Sequence, residues 1–361
     1  MYNLWGELLM SLQNRITKLY KTRNSYNMFS KVFSLLEGIL THKKLLTTKK
    51  YNIPKFPETI IIGPTNYCNH KCIMCPNRFL KNRGYMNFKL YIKILREVVK
   101  YKQYTKRISF GLFGEPLLHP KIKEMINLAK KEGFKTVLGT NASLLTKELA
   151  KEILPNLDEV RVSLYAYDKD SYRIIQGHDS SFFISTLDNI NYLIEQSENF
   201  NINVRITFIP MEYNKRNWRK YFSQFRKSKN LDFDIVRLHN WYDINKLDNI
   251  KKESLFPLRY FKPCIQIEKT ICIDWNGDVK VCCYAWDRKE LNLGNVHNNT
   301  IFRLFNGDKL NKLRKMHETG EATNLLVCNN CAAHKYEMNF FDTVKYIYLK
   351  AKIKRFLKKF N

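Results

Sequence analysis

Between Pro57 and about residue 250, six short β-rich runs alternate with longer helical patterns, which predicts an α/β fold built as a partial (β/α)6, TIM-like barrel. Two further observations complete the plan. After about residue 250, Asn276-Gly277-Asp278 lies between apolar runs, a strong hairpin signal, and predicts a small C-terminal hairpin-and-helix domain. Amphipathic patterns at both ends predict helical terminal extensions. A chain of 361 residues accommodates one barrel-sized domain plus an appendage.

In chain order, residues 1–56 read as a basic amphipathic helical arm. Trp5, Leu8, Leu9, Leu12, Ile16 and Leu19 recur at helical spacing, as do Phe29, Val32, Phe33, Leu36, Ile39 and Leu40. The core domain, 57–250, has expected strands at Thr59–Ile62, Arg107–Phe113, Thr136–Thr140, Glu159–Leu164, Asn203–Ile209 and Phe233–Leu238. Expected helices lie at Leu90–Tyr101, Ile122–Glu132, Lys147–Ile153, Ser181–Ser197 and Arg216–Lys227. Such alternation gives right-handed βαβ units and a parallel sheet, with chemistry at the C-terminal strand ends. Six units are too few to close an eight-stranded barrel, so the sheet should stay open. In residues 251–335 the hairpin pairs Ile271–Trp275 with Val279–Tyr284, and one helix is expected over Ile301–Met316. Residues 336–361 read as a basic C-terminal helix.

The net charge of +29 would attract anionic partners, but its distribution says more than its size. Residues 1–56 hold ten Lys/Arg against Glu7 and Glu37, and residues 335–361 hold eight against Glu337 and Asp342. Docking of the terminal helices on the body is the ordinary reading; the other is peripheral contact with an anionic membrane. No basic segment followed by an apolar run opens the chain, and nowhere do 18 apolar residues run together. The expected location is therefore cytoplasmic, with the inner membrane face as the peripheral option. Nine cysteines in such a compartment argue for metal ligation before disulfides.

Three of those cysteines, Cys68, Cys72 and Cys75, follow the first strand in a C-x3-C-x2-C loop. Thiolates so spaced can converge on an iron–sulfur cluster with one iron left open. The alternatives are a zinc site completed by His70, or three reduced thiols. Gly114-Glu115-Pro116 ends the second strand, Gly139-Thr140-Asn141 the third, and Ser163 the fourth. Taken singly, each suits a turn or cap equally well.

The cysteine loop together with Gly114-Glu115-Pro116 resembles the radical S-adenosylmethionine (SAM) enzymes, over roughly residues 57–335. The resemblance implies that Cys68, Cys72 and Cys75 hold a [4Fe-4S] cluster whose open iron takes SAM. It further implies that Gly114, Glu115 and Pro116 meet the methionine end, that Thr140 and Asn141 make a further contact, and that Ser163 lies by the ribose. Met74 stands where the family often has an aromatic residue against adenine, so its backbone is the expected contact.

Cys264-x12-Gly277-x4-Cys282 followed by Cys328-x2-Cys331 resembles the SPASM, or shortened twitch, extension. That implies a small iron–sulfur domain with a second, auxiliary [4Fe-4S] cluster ligated by all four cysteines. A zinc ribbon on the same cysteines is the competitor. Cys272 and Cys283 read as small buried residues. A closed auxiliary cluster suits electron transfer. The implied reaction is reductive SAM cleavage to a 5′-deoxyadenosyl radical, hydrogen abstraction from an unactivated carbon, and passage of the substrate electron to the auxiliary cluster. The implied substrate is a small molecule, carbohydrate-like or lipid-linked, and a reductant such as flavodoxin or ferredoxin is needed. A radical SAM peptide or protein maturase is the alternative; a zinc-containing nucleic-acid-binding protein is the remote one. No particular base is assigned among Tyr165, Tyr167, Asp168, Arg205, His239 and Trp241.

Overall fold

The structure, a computed structural model, describes residues 51–236, 264–285, 288–329, 331, 353 and 355–357. The expected N-terminal helices, His239, Trp241 and most of residues 336–361 lie outside the described residues. The chain divides into two units, Met1–Thr47 and Thr48–Asn361, and the described residues all belong to the second.

All six core strands form: β1 (Thr59–Ile62), β2 (Arg107–Phe110), β3 (Lys135–Thr140), β4 (Glu159–Val162), β5 (Asn203–Phe208) and β6 (Leu231–Ile235). They are parallel neighbours in sequence order, joined by α1 (Phe88–Lys100), α2 (Ile122–Lys131), α3 (Lys147–Ile153), α4 (Phe182–Asn199) and α5 (Trp218–Ser223). Sequence dictates this locally. In α1, Leu90, Tyr91, Ile94, Leu95 and Val98 bury one stripe, and the Asn87 side chain caps the first turn by accepting from the Lys89 N–H at 2.8 Å. Ile60, Ile108, Val160, Val204 and Ile206 are fully buried on the helix-covered face of the sheet. Each contributes about 1.5–3 kcal/mol by burial. The other face carries Ser109, Gly139, Arg161, Arg205 and Thr207, half-buried or exposed.

The sheet does not stop at β1. A hairpin of β7 (Thr270–Ile273) and β8 (Asp278–Lys280), followed by β9 (Asn292–Asn295), continues it in the order β6-β5-β4-β3-β2-β1-β7-β8-β9. β7 runs parallel to β1, Ile60 opposite Ile271, and β8 and β9 are antiparallel. Among the described residues the result is an open nine-stranded sheet, not a closed barrel.

Several expectations shift, among them the second hairpin strand, which is Asp278–Lys280 and not Val279–Tyr284, and the ends of β4 and β6. β2 ends at Phe110 rather than Phe113 because Gly111 takes φ +133°, outside the strand region of L-residues. The helix expected over Arg216–Lys227 shrinks to α5, since Asn214 uses its side chain to accept from the Met211 N–H and donate to the Tyr165 and Ile209 carbonyls, holding the preceding loop. The helix expected over Ile301–Met316 is two, α6 (Ile301–Asn306) and α7 (Asp308–Thr319), separated by an extended Gly307 (φ −75°, ψ 163°). β9 was not expected: its half-buried Asn292-Leu293-Gly294-Asn295 lacks apolar alternation.

Candidate active site

The cysteine loop leaves β1 and is laced to its surroundings by main-chain and amide bonds. The Thr65 hydroxyl donates to the Gly84 carbonyl (2.7 Å), and Asn66 pairs with both Asn82 and Gly84. Asn77 donates to the carbonyls of Asn66 and Phe113, and Arg83 donates to Asn66 and Asn77. On its other side, the Lys71 and Ile73 N–H groups donate to the Gln176 and Ile175 carbonyls (3.1 and 2.9 Å), in a single π-helical turn, Tyr172–Gln176.

His70 is the buried pin of that junction. The Gln176 amide donates to Nδ1 (3.1 Å), which leaves the proton on Nε2 to donate to the Tyr172 hydroxyl (3.0 Å). Burial holds the imidazole neutral, its pKa lowered to about 3. With both nitrogens engaged, His70 has no lone pair to complete a zinc site, and that alternative falls. Nothing in the sequence marks this latch, because one π-turn has no periodicity to read.

Burial pushes the Cys68 thiol up to about 12 and raises Cys72 and Cys75. Cys72 is raised further by both neighbouring thiols. Three neighbouring half-buried thiols, each disfavoured as a thiolate by desolvation, do not all ionise without a cationic centre, so this donor set fits a metal group that supplies positive charge.

Gly114-Glu115 lies directly against this loop. A Cβ on Gly114 would stand 2.4 Å from the Thr65 carbonyl oxygen and 2.5 Å from that of Tyr67, so only glycine fits. The Glu115 N–H donates to the Tyr67 carbonyl (2.8 Å). Its buried carboxylate accepts from the Thr140 hydroxyl (2.7 Å), the Asn141 N–H (2.7 Å) and the Leu117 N–H (3.1 Å). Burial still outweighs these donors and raises its pKa to about 7. Pro116 opens the 3-10 turn Pro116–Leu118. Asn141 donates to Asn69 (2.9 Å), within the cysteine loop, and the Ser163 N–H donates to the Thr140 carbonyl (2.9 Å). Thus Glu115, Thr140 and Asn141 form one constellation against the cysteines, and Ser163 adjoins it through backbone. Met74 packs in a small apolar cluster with Ile175 and Met211, against which Cys72 and Tyr165 also lie.

The second cysteine group gathers under α7. Cys264, Cys282, Cys328 and Cys331 line one cavity whose other walls include Ile267, Leu313 and Val327. Burial raises the thiols of Cys264, Cys282 and Cys328, the last to about 12. Among the described residues no three His, Cys, Asp or Glu side chains close around a single ion. Four thiols surrounding an enclosed space suit a multi-iron group better than one zinc. Cys272 is fully buried in β7, as expected. Cys283 is only half-buried, and its thiol, pushed up to about 12 by burial, also feels Cys331 and Cys264, so it neighbours the four.

Comparison with known proteins agrees with this layout. Residues 62–215 match the model of the radical SAM superfamily, and residues 264–332 match SPASM, an iron–sulfur cluster-binding domain. A tungsten-containing aldehyde ferredoxin oxidoreductase cofactor-modifying protein of Pyrococcus furiosus is 28% identical over 255 residues, covering 62% of this chain and 69% of that protein. A probable GTP 3′,8-cyclase of Saccharolobus islandicus is 27% identical over 218 residues, covering 59% and 67%. Among solved structures, BtrN in complex with AdoMet and 2-DOIA superposes with a TM-score of 0.54 at 20% identity, covering 76% of this chain and 93% of that one. Streptococcus suis SuiB bound to S-adenosylmethionine gives 0.56 at 17% identity, covering 85% and 78%. At these identities the structural likeness speaks to the fold alone.

Proposed function

The chain belongs to the radical SAM superfamily and carries a C-terminal SPASM iron–sulfur domain, and on that premise we propose that it is an oxidoreductase or modifying enzyme that abstracts hydrogen from an unactivated carbon of a small substrate. Members with this domain pair use SAM and [4Fe-4S] clusters, and so does this chain. The observation that supports the oxidative reading is the closed group of Cys264, Cys282, Cys328 and Cys331 around one cavity. Four thiolates leave no ligand position for substrate, which suits electron transfer.

Cys68, Cys72 and Cys75 would hold the first cluster, and Cys264, Cys282, Cys328 and Cys331 the second. When bound, the first cluster with SAM supplies a 5′-deoxyadenosyl radical, and the second supplies an electron acceptor. The remaining roles belong to side chains. Glu115, fixed by Thr140 and the Asn141 N–H, presents a carboxylate for the SAM ammonium, and proximity of that cation would favour its ionised form. Gly114 and Pro116 shape the turn that brings it to the cysteine loop; Ser163 stands at the ribose end, and Met74 offers backbone to the adenine. His70, Tyr172 and Gln176 hold the loop in place. The names of the curated relatives describe work on a cofactor and on GTP, both small molecules, which supports a small substrate over a peptide.

Anaerobic reconstitution tests the proposal. Wild type is expected to hold two [4Fe-4S] clusters and to form 5′-deoxyadenosine. Replacing Cys68, Cys72 and Cys75 by Ala should abolish 5′-deoxyadenosine and leave the second cluster's EPR signal, whereas Cys282→Ala should retain uncoupled SAM cleavage. Undiminished cleavage in the triple variant, or stoichiometric zinc in place of iron, would sink it.

A further inference from the structure

We propose that Arg161 and Arg205 form the substrate-anchoring pair of this enzyme and bind an anionic group, a carboxylate or phosphate ester, on the face of the sheet opposite the helices. The inference rests on the function proposed above and narrows its substrate class.

The two arginines face each other across neighbouring strands, Arg161 of β4 in register with Arg205 of β5. Their strand neighbours Val160, Val162, Val204 and Ile206 are fully buried under the helices, so the guanidinium groups belong to the opposite face. Their side chains are 44% and 36% exposed. Arg161 lies two residues before Ser163 on the same face, about 6.6 Å at strand rise, which puts the pair one step beneath the proposed SAM level.

The neighbouring strand leaves room beside them. Gly139 of β3 is in register with Arg161, and even an added Cβ there would meet nothing closer than 3.7 Å. At that height the face therefore passes from bare backbone on β3 to two guanidinium groups on β4 and β5.

Three carboxylates match the charge of the three arginines, but among the described residues only one of their contacts, Glu159 with Arg161, is of hydrogen-bond length, so the donors of Arg205 are left open. Glu159, itself buried, is the carboxylate they share with Arg107. It accepts from Arg161 Nε at 2.6 Å, while Arg205 and Arg107 stand off at 3.9 Å. Asp234 and Asp232 approach Arg205 at 3.6 and 4.0 Å, beyond hydrogen-bond reach, and Asp232 is largely exposed. Arg205 Nε is buried with no hydrogen-bond partner among the described residues. A planar fork left so is built for bidentate contact with a carboxylate or a phosphate, and both arginines can reach one anion from adjacent strands. An uncharged substrate would leave the Arg205 guanidinium without an acceptor at hydrogen-bond distance among the described residues.

Anaerobic holoenzyme with SAM bound is titrated with sodium sulfate, standing for a phosphate ester, and separately with acetate, standing for a carboxylate, and the heat of binding is recorded. A constant ionic strength of about 0.15 M, where the Debye length is about 8 Å, suppresses diffuse binding to surface lysines. Saturable binding of one anion is expected, and the preferred one identifies the substrate group. Arg161→Gln and Arg205→Gln should each weaken it at least tenfold, whereas exposed Arg226→Gln should not. Should the glutamine variants fail to fold, Arg205→Lys decides: it keeps the charge and loses the fork, and tenfold weaker binding is again expected. No saturable binding to wild type, or equal binding in the arginine variants, overturns the proposal. Iron content and uncoupled 5′-deoxyadenosine formation by wild type judge the proposed function separately, so either idea can fail while the other stands.

Discussion

Glu115 and His70 both sit against the cysteine loop, and their ionisation moves stability in opposite directions. Burial raises the Glu115 carboxyl from 4.5 to about 7. The unfolded chain therefore releases this proton first, and stability falls as pH rises from 4.5 to 7, by on the order of 3 kcal/mol. His70 is lowered from 6.5 to about 3, so the unfolded chain takes up a proton first on acidification, and stability falls as pH drops from 6.5 toward 3. In SAM-free protein, Glu115→Gln should flatten the first slope and His70→Gln the second, read from denaturation midpoints across pH. Equal slopes in variant and wild type would show that neither group titrates as described. Glu115→Gln should also weaken SAM binding at least tenfold, since a hydrogen bond to a charged group contributes about 1.5–3 kcal/mol. Glu115 was legible in the sequence because it stands in a short motif beside a cysteine triad. The latch that positions the loop was not, because Gln176 and Tyr172 reach His70 from about a hundred residues away.

At the scale of elements, the alternation of strands and helices was legible because each βα unit carries its own period of apolar residues. Ends were less so, for local reasons: Gly111 stops β2 and Gly307 splits α6 from α7. What the sequence concealed was the partner of the C-terminal hairpin. Ile271-Cys272-Ile273 is fully buried, as a strand inside a sheet must be, yet no local pattern says that its neighbour is Ile60-Ile61-Ile62 more than two hundred residues earlier. The consequence is mechanical continuity: the strand leading to the first cysteine group is hydrogen-bonded to the hairpin leading to the second. Ile273→Ala should therefore cost about 2–5 kcal/mol and lower the midpoint of the whole β-sheet. A single urea transition by circular dichroism is expected, shifted as a unit. Two separated transitions, with only the smaller one moved, would mean that the hairpin folds apart from the core.

For the whole molecule, the question is what the basic ends do. No described helix is long and apolar enough to cross a membrane. Residues 1–50 of the N-terminal arm lie outside the described residues, while Tyr51 and Phe56 are buried in the body, and part of the C-terminal end is placed. Ile353 is fully buried, and the Phe356 ring stands edge-on to Trp218 with centroids 5.5 Å apart. Trp218 opens α5 and is itself buried, so this contact seals the helix that precedes β6. Apolar residues buried against the body cannot also enter a bilayer. Charge alone gives only salt-sensitive surface attraction, about 1 kcal/mol per basic residue near an anionic leaflet. Phe356→Ala should consequently lower stability by about 2 kcal/mol, less than a fully buried phenylalanine would cost, and leave partition onto phosphatidylserine vesicles unchanged at about 0.15 M salt. Cosedimentation and urea denaturation on the same two proteins decide the matter. Loss of vesicle binding with unchanged stability would place Phe356 in the lipid and not against Trp218.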